Sequence, residues 1–357
     1  MIVTKGAFRS LYVPILIEQL FILLMGQADT LMLNSYSTNA VAASGMTSQI
    51  LMLITFLITI IHVGTNIRIV HLKAHQTSMI TKEIFHNLLF NIIVSIVFTL
   101  VVGMVFSPLL QLFQVPKDIF NLTYQFGLVI LSVLTLTSTQ MYIGTVLRVM
   151  NYAAIATRIT VISNLTNIIL NAFVLFIIPD LVGNPVLAVA YATAISRLLG
   201  CLLAFIALLK IYRPKLHYFK INFKILYQVS TLGIPSAGEQ ISYNFAQTFT
   251  TAFIAMLGTQ VIAAKSVATV LSGLSFSCAM AFSAACQIYL GHFIARHRYS
   301  VLKKTVLRSI WFNVIQSLII MVCVLVGFVA VGRWLTHDVQ TYHLIIYYLV
   351  TVSYTHL

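Results

Sequence analysis

Runs of about 20 apolar residues, the length a helix needs to cross a bilayer, follow one another along the whole chain with short polar connections between them. The pattern predicts nine full spans and the start of a tenth. They fall at Leu11–Leu33, Gly45–Val70, Asn87–Phe106, Leu122–Val146, Ala154–Ile178 and Val186–Leu209. The second group is Val229–Leu257, Val261–Leu290, Val306–Val331 and a last span opening at Tyr342. The expected fold class is an all-α polytopic membrane protein.

Composition agrees. Of 357 residues, 60% are hydrophobic and 8% charged, against about 45–50% and about 25% in soluble domains. This excludes a soluble enzyme and a disordered chain. The balance of 21 basic to 7 acidic residues gives +14, yet no stretch is polar enough to be a solvated nucleic-acid-binding domain. The basic residues instead mark alternate connections. Lys5 and Arg9 precede the first span; Arg68, Lys73 and Lys82 surround the second connection; Arg148 and Arg158 surround the fourth. Lys210, Arg213, Lys215, Lys220 and Lys224 fill the sixth, and Arg296, Arg298, Lys303, Lys304 and Arg308 the eighth. The opposite side has Lys117 and Arg333. Basic connections face the cytoplasm, so the N-terminus is expected inside, and the first span acts as an uncleaved signal.

The chain repeats itself at an offset of 221. Pro14, Glu18 and Gln19 fall on Pro235, Glu239 and Gln240, Thr30 on Thr251, Thr38 on Thr259, and Ala42–Ala43 on Ala263–Ala264. Six spans separate the copies, so both enter the membrane from the same side, as in transporters with parallel repeats. Two pseudo-symmetric six-helix bundles follow, the second incomplete: 1–209, a cytoplasmic linker 210–227, and 228–357. The chain stops about sixteen residues into its tenth span, and the end Ser353–Leu357 reads as a truncation or a non-native tail.

Three acids lie inside spans: Glu18, Asp29 and Glu239. A carboxylate at lipid depth costs about 2.5–3.5 kcal/mol on insertion scales and marks either transport or a hydrogen bond to a neighbouring helix. Eleven residues separate Glu18 from Asp29, about three turns plus 20°, so both share a face of the first span with Pro14. That proline is a static kink or a moving hinge. Thr160, Asn164, Asn167 and Asn171 form a polar stripe in span five; Ser132, Thr135, Thr139 and Tyr142 form one in span four; Thr193 and Arg197 lie in span six. Each stripe alone reads as helix–helix contact. Together, in the half that holds Asp29, they read as a cavity. The second copy has Thr250 in place of Asp29. Lys265 is expected to reach toward the interface, and His62 to be packed or, alternatively, a proton relay. Cys201, Cys278, Cys286 and Cys323 lie in apolar runs without metal-ligand or disulfide spacing and read as small buried hydrophobes.

These residues carry a family resemblance. Gly26–Gly45 (GQADTLMLNSYSTNAVAASG) resembles the first-helix region of the MATE multidrug and toxin extrusion transporters, of a bacterial DinF-like branch. Gly233–Gln240 (GIPSAGEQ) and Leu257–Ala264 (LGTQVIAA) resemble the start of their second bundle, and Leu147–Asn151 (LRVMN) their turn after helix four, with Asn151 where a glycine or an acid-flanked turn is usual. The resemblance implies two bundles with a cavity, and antiport in which H⁺ or Na⁺ enters as an organic cation leaves. It makes Asp29 the coupling carboxylate and Pro14 the bending proline. Some relatives have an Asn-x-x-x-Asp pair on helix five; here it reads Asn167-x-x-x-Asn171, which leaves Asp29 as the main titrating group. Thr193 matches a helix-six threonine of that site. A subfamily acid on helix seven lies about a turn beyond Glu239, so Glu239, like Glu18, Gln240 and Tyr142, is a cavity candidate only.

The expected activity is cation-coupled export of small organic cations from a bacterium across its cytoplasmic membrane. The protein would act as a monomer in the bilayer, without nucleic acid, cofactor or metal beyond a coupling ion, Na⁺ at Asp29 being the one metal it admits. A flippase of lipid-linked oligosaccharides is the alternative within the superfamily. A membrane receptor or enzyme is the alternative of another class, and no nucleophile–base pair, zinc spacing or phosphate loop supports it.

Overall fold

The computed structural model describes residues 5–75, 79–179, 183–215, 218, 222–255, 259–335 and 339–355. Of the positions used above, Lys220, Leu257, Gly258, His356 and Leu357 lie outside these. The described chain is helical. In order the helices are α1 (Lys5–Tyr36), α2 (Thr38–His75), α3 (Ile80–Leu112), α4 (Lys117–Ser132), α5 (Leu134–Val149) and α6 (Ala153–Ala172). A π-helical turn, Phe173–Ile177, extends α6. Then come α7 (Pro185–Ile211), α8 (Phe223–Ala255), α9 (Thr259–Ala295), α10 (Tyr299–Leu335) and α11 (Val339–Thr355).

Among the described residues, seven helices are long and apolar enough to cross a membrane, and eight spans result if α4 and α5 count as one. The expected fourth span is thus a broken one, bent by 44° at Val133. Neither proline nor glycine stands at that bend. Hydroxyls do: Ser132 Oγ donates to the Val129 carbonyl at 2.7 Å and Thr137 Oγ1 to the Val133 carbonyl at 3.2 Å. Side-chain bonds of this kind compete with the helical ladder and bend it. The expected seventh span, in α8, has the length of a span at 33 residues. It falls short in hydropathy because Glu239, Gln240, Asn244 and Gln247 interrupt its second half.

Local sequence sets several ends. Asn184 caps α7, accepting from the Val186 and Leu187 amides at 3.1 and 3.3 Å, with Pro185 in the first turn where its missing N–H costs nothing. Asn222 caps α8 in the same way, accepting from the amides of Lys224 and Ile225. Asn151 closes α5 with φ 68°, the left-handed conformation that asparagine tolerates almost as glycine does.

The chain divides into two compact units, but not at the expected linker. One unit is 24–238 and the other is 1–23 with 239–357. The repeat halves 1–209 and 228–357 therefore exchange helix segments: α1 gives its first half to the second unit, and α8 gives its first half to the first. In the unit 24–238, α7 packs on α4, α5 and α6, and α2 packs on α3, α4 and α5. One core joins Ile54 and Ile58 of α2 to Phe106 and Leu110 of α3 and Ile119 of α4. In the other unit α9 packs on α10 and α11 around Ala268, Phe328, Tyr342 and Ile345.

Candidate functional site

The second half of α1 carries Asp29 into the unit 24–238, where α6 and α7 meet it. Asn167 and Asn171 are one turn apart on α6, and both are buried. Asn171 Nδ2 donates to Asp29 Oδ1 at 2.9 Å. With its amide nitrogen facing the carboxylate, Asn167 donates to Oδ1 at 3.2 Å and Oδ2 at 3.3 Å, and its oxygen accepts from Thr193 Oγ1 at 3.1 Å. The opposite orientation sets its oxygen against acceptors only. The Thr193 hydroxyl also lies 3.0 Å from the carbonyl of Val189. Arg197, one turn beyond Thr193 on α7, acts on Asp29 by Coulombic attraction. The π-helical turn starts two residues after Asn171, and such wider turns recur at functional sites.

The chemistry of the cluster is that of a half-buried carboxylate held by charge-assisted hydrogen bonds. Three bonds reach Asp29 from two amides. One acceptor is left over: Asn171 Oδ1 is buried and receives no hydrogen bond. Arg197 supplies the opposite charge, so the cluster is near electroneutral while Asp29 is ionised. Spacing gave a clue to Arg197, since Thr193-x-x-x-Arg197 places both on one face of α7, but its sign against Asp29 needed the fold.

Asp29, Asn167, Asn171 and Thr193 are thus brought together. The other candidates are not part of this cluster. Glu18 is buried in the second unit, so the shared face of α1 does not bring it to Asp29, three turns further along the helix. Pro14 lies in that same first half of α1. Glu239 is exposed on α8 and Gln240 half-buried. Tyr142 is sealed rather than facing a cavity: it is fully buried, and its hydroxyl donates to the Ile84 carbonyl of α3 at 2.8 Å. The bend at Val133 also separates Ser132 from Thr139 and Tyr142, so the expected span-four stripe is not continuous.

Two further expectations change. Lys265 does not reach for the interface; it is buried and donates to Thr251 Oγ1. Cys323 is exposed, whereas Cys201, Cys278 and Cys286 are buried. His62 is packed and hydrogen-bonded, with Nε2 3.0 Å from Asn91 Oδ1, which also accepts from Ser138 Oγ at 2.9 Å. Sequence reasoning missed this seam and its extension, the Arg68–Glu83 ion pair between α2 and α3. The signal was present, since Glu83, Asn87 and Asn91 recur every four residues on α3.

A model of the MatE family matches residues 14–173 and 235–355. The chain belongs to the MatE family. The two matched segments begin at Pro14 and Pro235, the positions that the repeat aligns. A curated relative, the uncharacterized transporter YisQ of Bacillus subtilis, is 30% identical over 309 residues, covering 85% of this chain and 67% of that one. Two solved structures share the fold of this MatE protein. A variant of the Vibrio cholerae MATE transporter VcmN superimposes with a TM-score of 0.88 at 17% identity, covering 98% of this chain and 80% of that one. A MOP superfamily transporter from Pyrococcus furiosus gives 0.85 at 21% identity, covering 97% and 77%. This MatE protein is a multi-pass membrane transporter built of two pseudo-symmetric helical bundles.

Proposed function

We propose that this MatE protein is an antiporter that exports small organic cations, and that H⁺ is its coupling ion. The observation that carries the reading is Asp29, a carboxylate within a membrane span, with two asparagine amides donating to it. The amides present N–H groups to Asp29. A Na⁺ ion would require both amides to turn their oxygens toward it, whereas a proton leaves the Asn167 amide as it stands.

The cycle follows from the charges. With Asp29 ionised the cluster is near electroneutral, and a cationic substrate is tolerated in the first unit. Protonation removes the negative charge, leaves Arg197 without its counter-charge, and makes the site net positive, so the cation is expelled. Proton and cation therefore oppose each other's binding, as antiport requires. Protonation also turns one Asp29 oxygen from acceptor to donor. Asn171 Oδ1, which receives no bond, becomes its acceptor after a half-turn of the amide. Each charge-assisted bond exchanged in this way involves about 1.5–3 kcal/mol, enough to change how α1 rests on α6. Pro14 is the point at which α1 bends in response. Glu239 and Gln240 lie mid-helix on α8, and an exposed carboxylate there faces water rather than lipid. The basic alternate connections support a cytoplasmic N-terminus in the bacterial inner membrane. The protein works as a monomer.

The test is Asp29→Asn in cells loaded with ethidium and given an inward proton gradient. Efflux is expected to fall to that of cells without the transporter; undiminished efflux overturns the mechanism. At fixed pH, adding or removing Na⁺ is expected to leave native efflux unchanged, and dependence on Na⁺ would reassign the ion. Binding of a lipid diphosphate, with no response to ethidium, would favour the flippase instead.

A further inference from the structure

We infer that the second unit holds a binding site for an anionic phospholipid where α1, α9 and α10 meet. A cavity of about 820 Å³ opens there. Its floor is aromatic. Phe8 of α1 meets Phe282 and Tyr289 of α9 edge-on, with ring centroids 5.4 and 5.3 Å apart, and Phe312 of α10 stacks on Phe282 at 5.2 Å. Its rim is cationic and hydroxylic: Lys304 and Arg308, with Ser300 and Thr305, all from the first three turns of α10.

Nothing in the sequence around this rim neutralises it. Between Glu239 and Asp338 the chain has no acidic residue, and none precedes Glu18. The unit as a whole carries Lys5, Arg9, Lys265, Arg296, Arg298, Lys303, Lys304, Arg308 and Arg333 against Glu18, Glu239 and Asp338, nine bases to three acids. Lys304 and Arg308 are one turn apart, about 6 Å along the helix, a spacing that brackets one phosphate group. Basic pockets between helices at the cytoplasmic surface take anionic headgroups in this way, and this end of α10 is cytoplasmic in the orientation proposed above.

A second observation distinguishes a lipid from a soluble anion. Below Arg308, at spacings of four, three, four, three and four, stand Phe312, Ile315, Ile319, Val322 and Val326, all half-exposed or more. They form one apolar stripe on α10, continuous with the cationic rim. A phosphate at Lys304 and Arg308 would therefore have a track for an acyl chain directly beneath it. A free phosphate would use the rim alone and touch neither the stripe nor the aromatic floor. The inference depends on membrane embedding and orientation, and not on what is exported.

The experiment uses the full chain purified in detergent, delipidated, and offered phosphatidylglycerol or phosphatidylcholine, with bound lipid counted by native mass spectrometry. Phosphatidylglycerol is expected to be retained in preference to phosphatidylcholine. Lys304→Gln with Arg308→Gln is expected to lower its affinity roughly thirtyfold, the effect of two basic residues at an anionic headgroup. Lys303→Gln, on the neighbouring face of α10, is the control and leaves binding unchanged. Equal retention of both lipids, or unaltered binding in a double variant that melts at the native temperature, overturns the proposal. Displacement of the lipid by inorganic phosphate would assign the rim to a soluble anion and overturn the lipid occupant. Loss of efflux in Asp29→Asn leaves all of these outcomes unaffected, so the two readings fail separately.

Discussion

Two helix crossings made equivalent by the 221-residue offset are built in opposite ways. In the unit 24–238, α2 crosses the first half of α8 at near-backbone contact. A Cβ on Gly64 would stand 1.9 Å from the Val229 carbonyl oxygen, and one on Gly233 would stand 2.0 Å from that of Ile60. Four residues separate the partners on each helix, so the two glycines admit each other's neighbour. The offset carries Gly64 to Ala285, Val229 to Phe8, and Gly233 to Tyr12. There, in the other unit, a ring replaces one glycine, alanine replaces the other, and a second ring replaces the valine. Phe8 stands on Phe282 and Tyr289, Tyr12 stands on Phe282, and Phe8 also lines the aromatic cavity.

Charge inside the spans diverges as well. The first unit sets Asp29 among amide donors, while the matching Thr250 merely donates to its own helix at Ala246. On α9, Lys265 takes the place of Ser44 and is held by Thr251, the neighbour of Thr250. An anion in one copy therefore answers to a cation in the other. The repeat keeps a backbone path and leaves the interfaces free to diverge, one around a buried carboxylate and one around an aromatic cavity.

The sharpest way to break the comparison is to move the acid. Asp29→Asn combined with Thr250→Asp restores a carboxylate at the equivalent place without the α6 amides. Ethidium efflux is expected to remain at background. Recovery would mean that the carboxylate alone suffices and that the Asn167–Asn171 pair is incidental.

A smaller effect separates the two crossings. Gly64→Ala pushes a methyl into a carbonyl oxygen that has no room to yield, and overpacking costs about 1–3 kcal/mol or more. The matching Ala285→Gly removes a methyl from a helix at about 1 kcal/mol. Thermal unfolding in detergent should show the first variant melting well below the second. The reverse order would mean that the α2–α8 approach is not close in the folded protein.

Smallest is Tyr142→Phe. It deletes one buried hydrogen bond to the Ile84 carbonyl, worth about 1 kcal/mol. A slightly lower melting temperature with native efflux is expected, whereas loss of efflux with native stability would return Tyr142 to the transport path.

The spans were legible because lipid imposes an apolar run whatever the protein does. The cluster around Asp29 was legible because asparagines four apart share a helix face and an intramembrane acid is rare. What escaped depends on contacts between distant segments. Nothing local distinguishes Gly64, which admits a backbone, from Gly26, around which a Cβ would meet nothing. The bend at Val133 has no proline to announce it. Tyr142 and Thr139 fit a stripe on paper, and only the packing of α5 on α3 shows that Tyr142 is sealed. The exchange of half-helices between units escapes a linear reading, since α1 and α8 are each a single uninterrupted helix.

The amide of Asn171 has an evolutionary consequence. Asparagine and aspartate codons differ by one base, and the side chains have the same shape. A single mutation would thus place a second carboxylate 2.9 Å from Asp29, where two acids cannot both be ionised without a shared proton or a bound cation. On the mechanism proposed above, the identity of the driving ion in this lobe is one nucleotide deep, and a population under changing salt or acidity can explore both alternatives without rebuilding the fold.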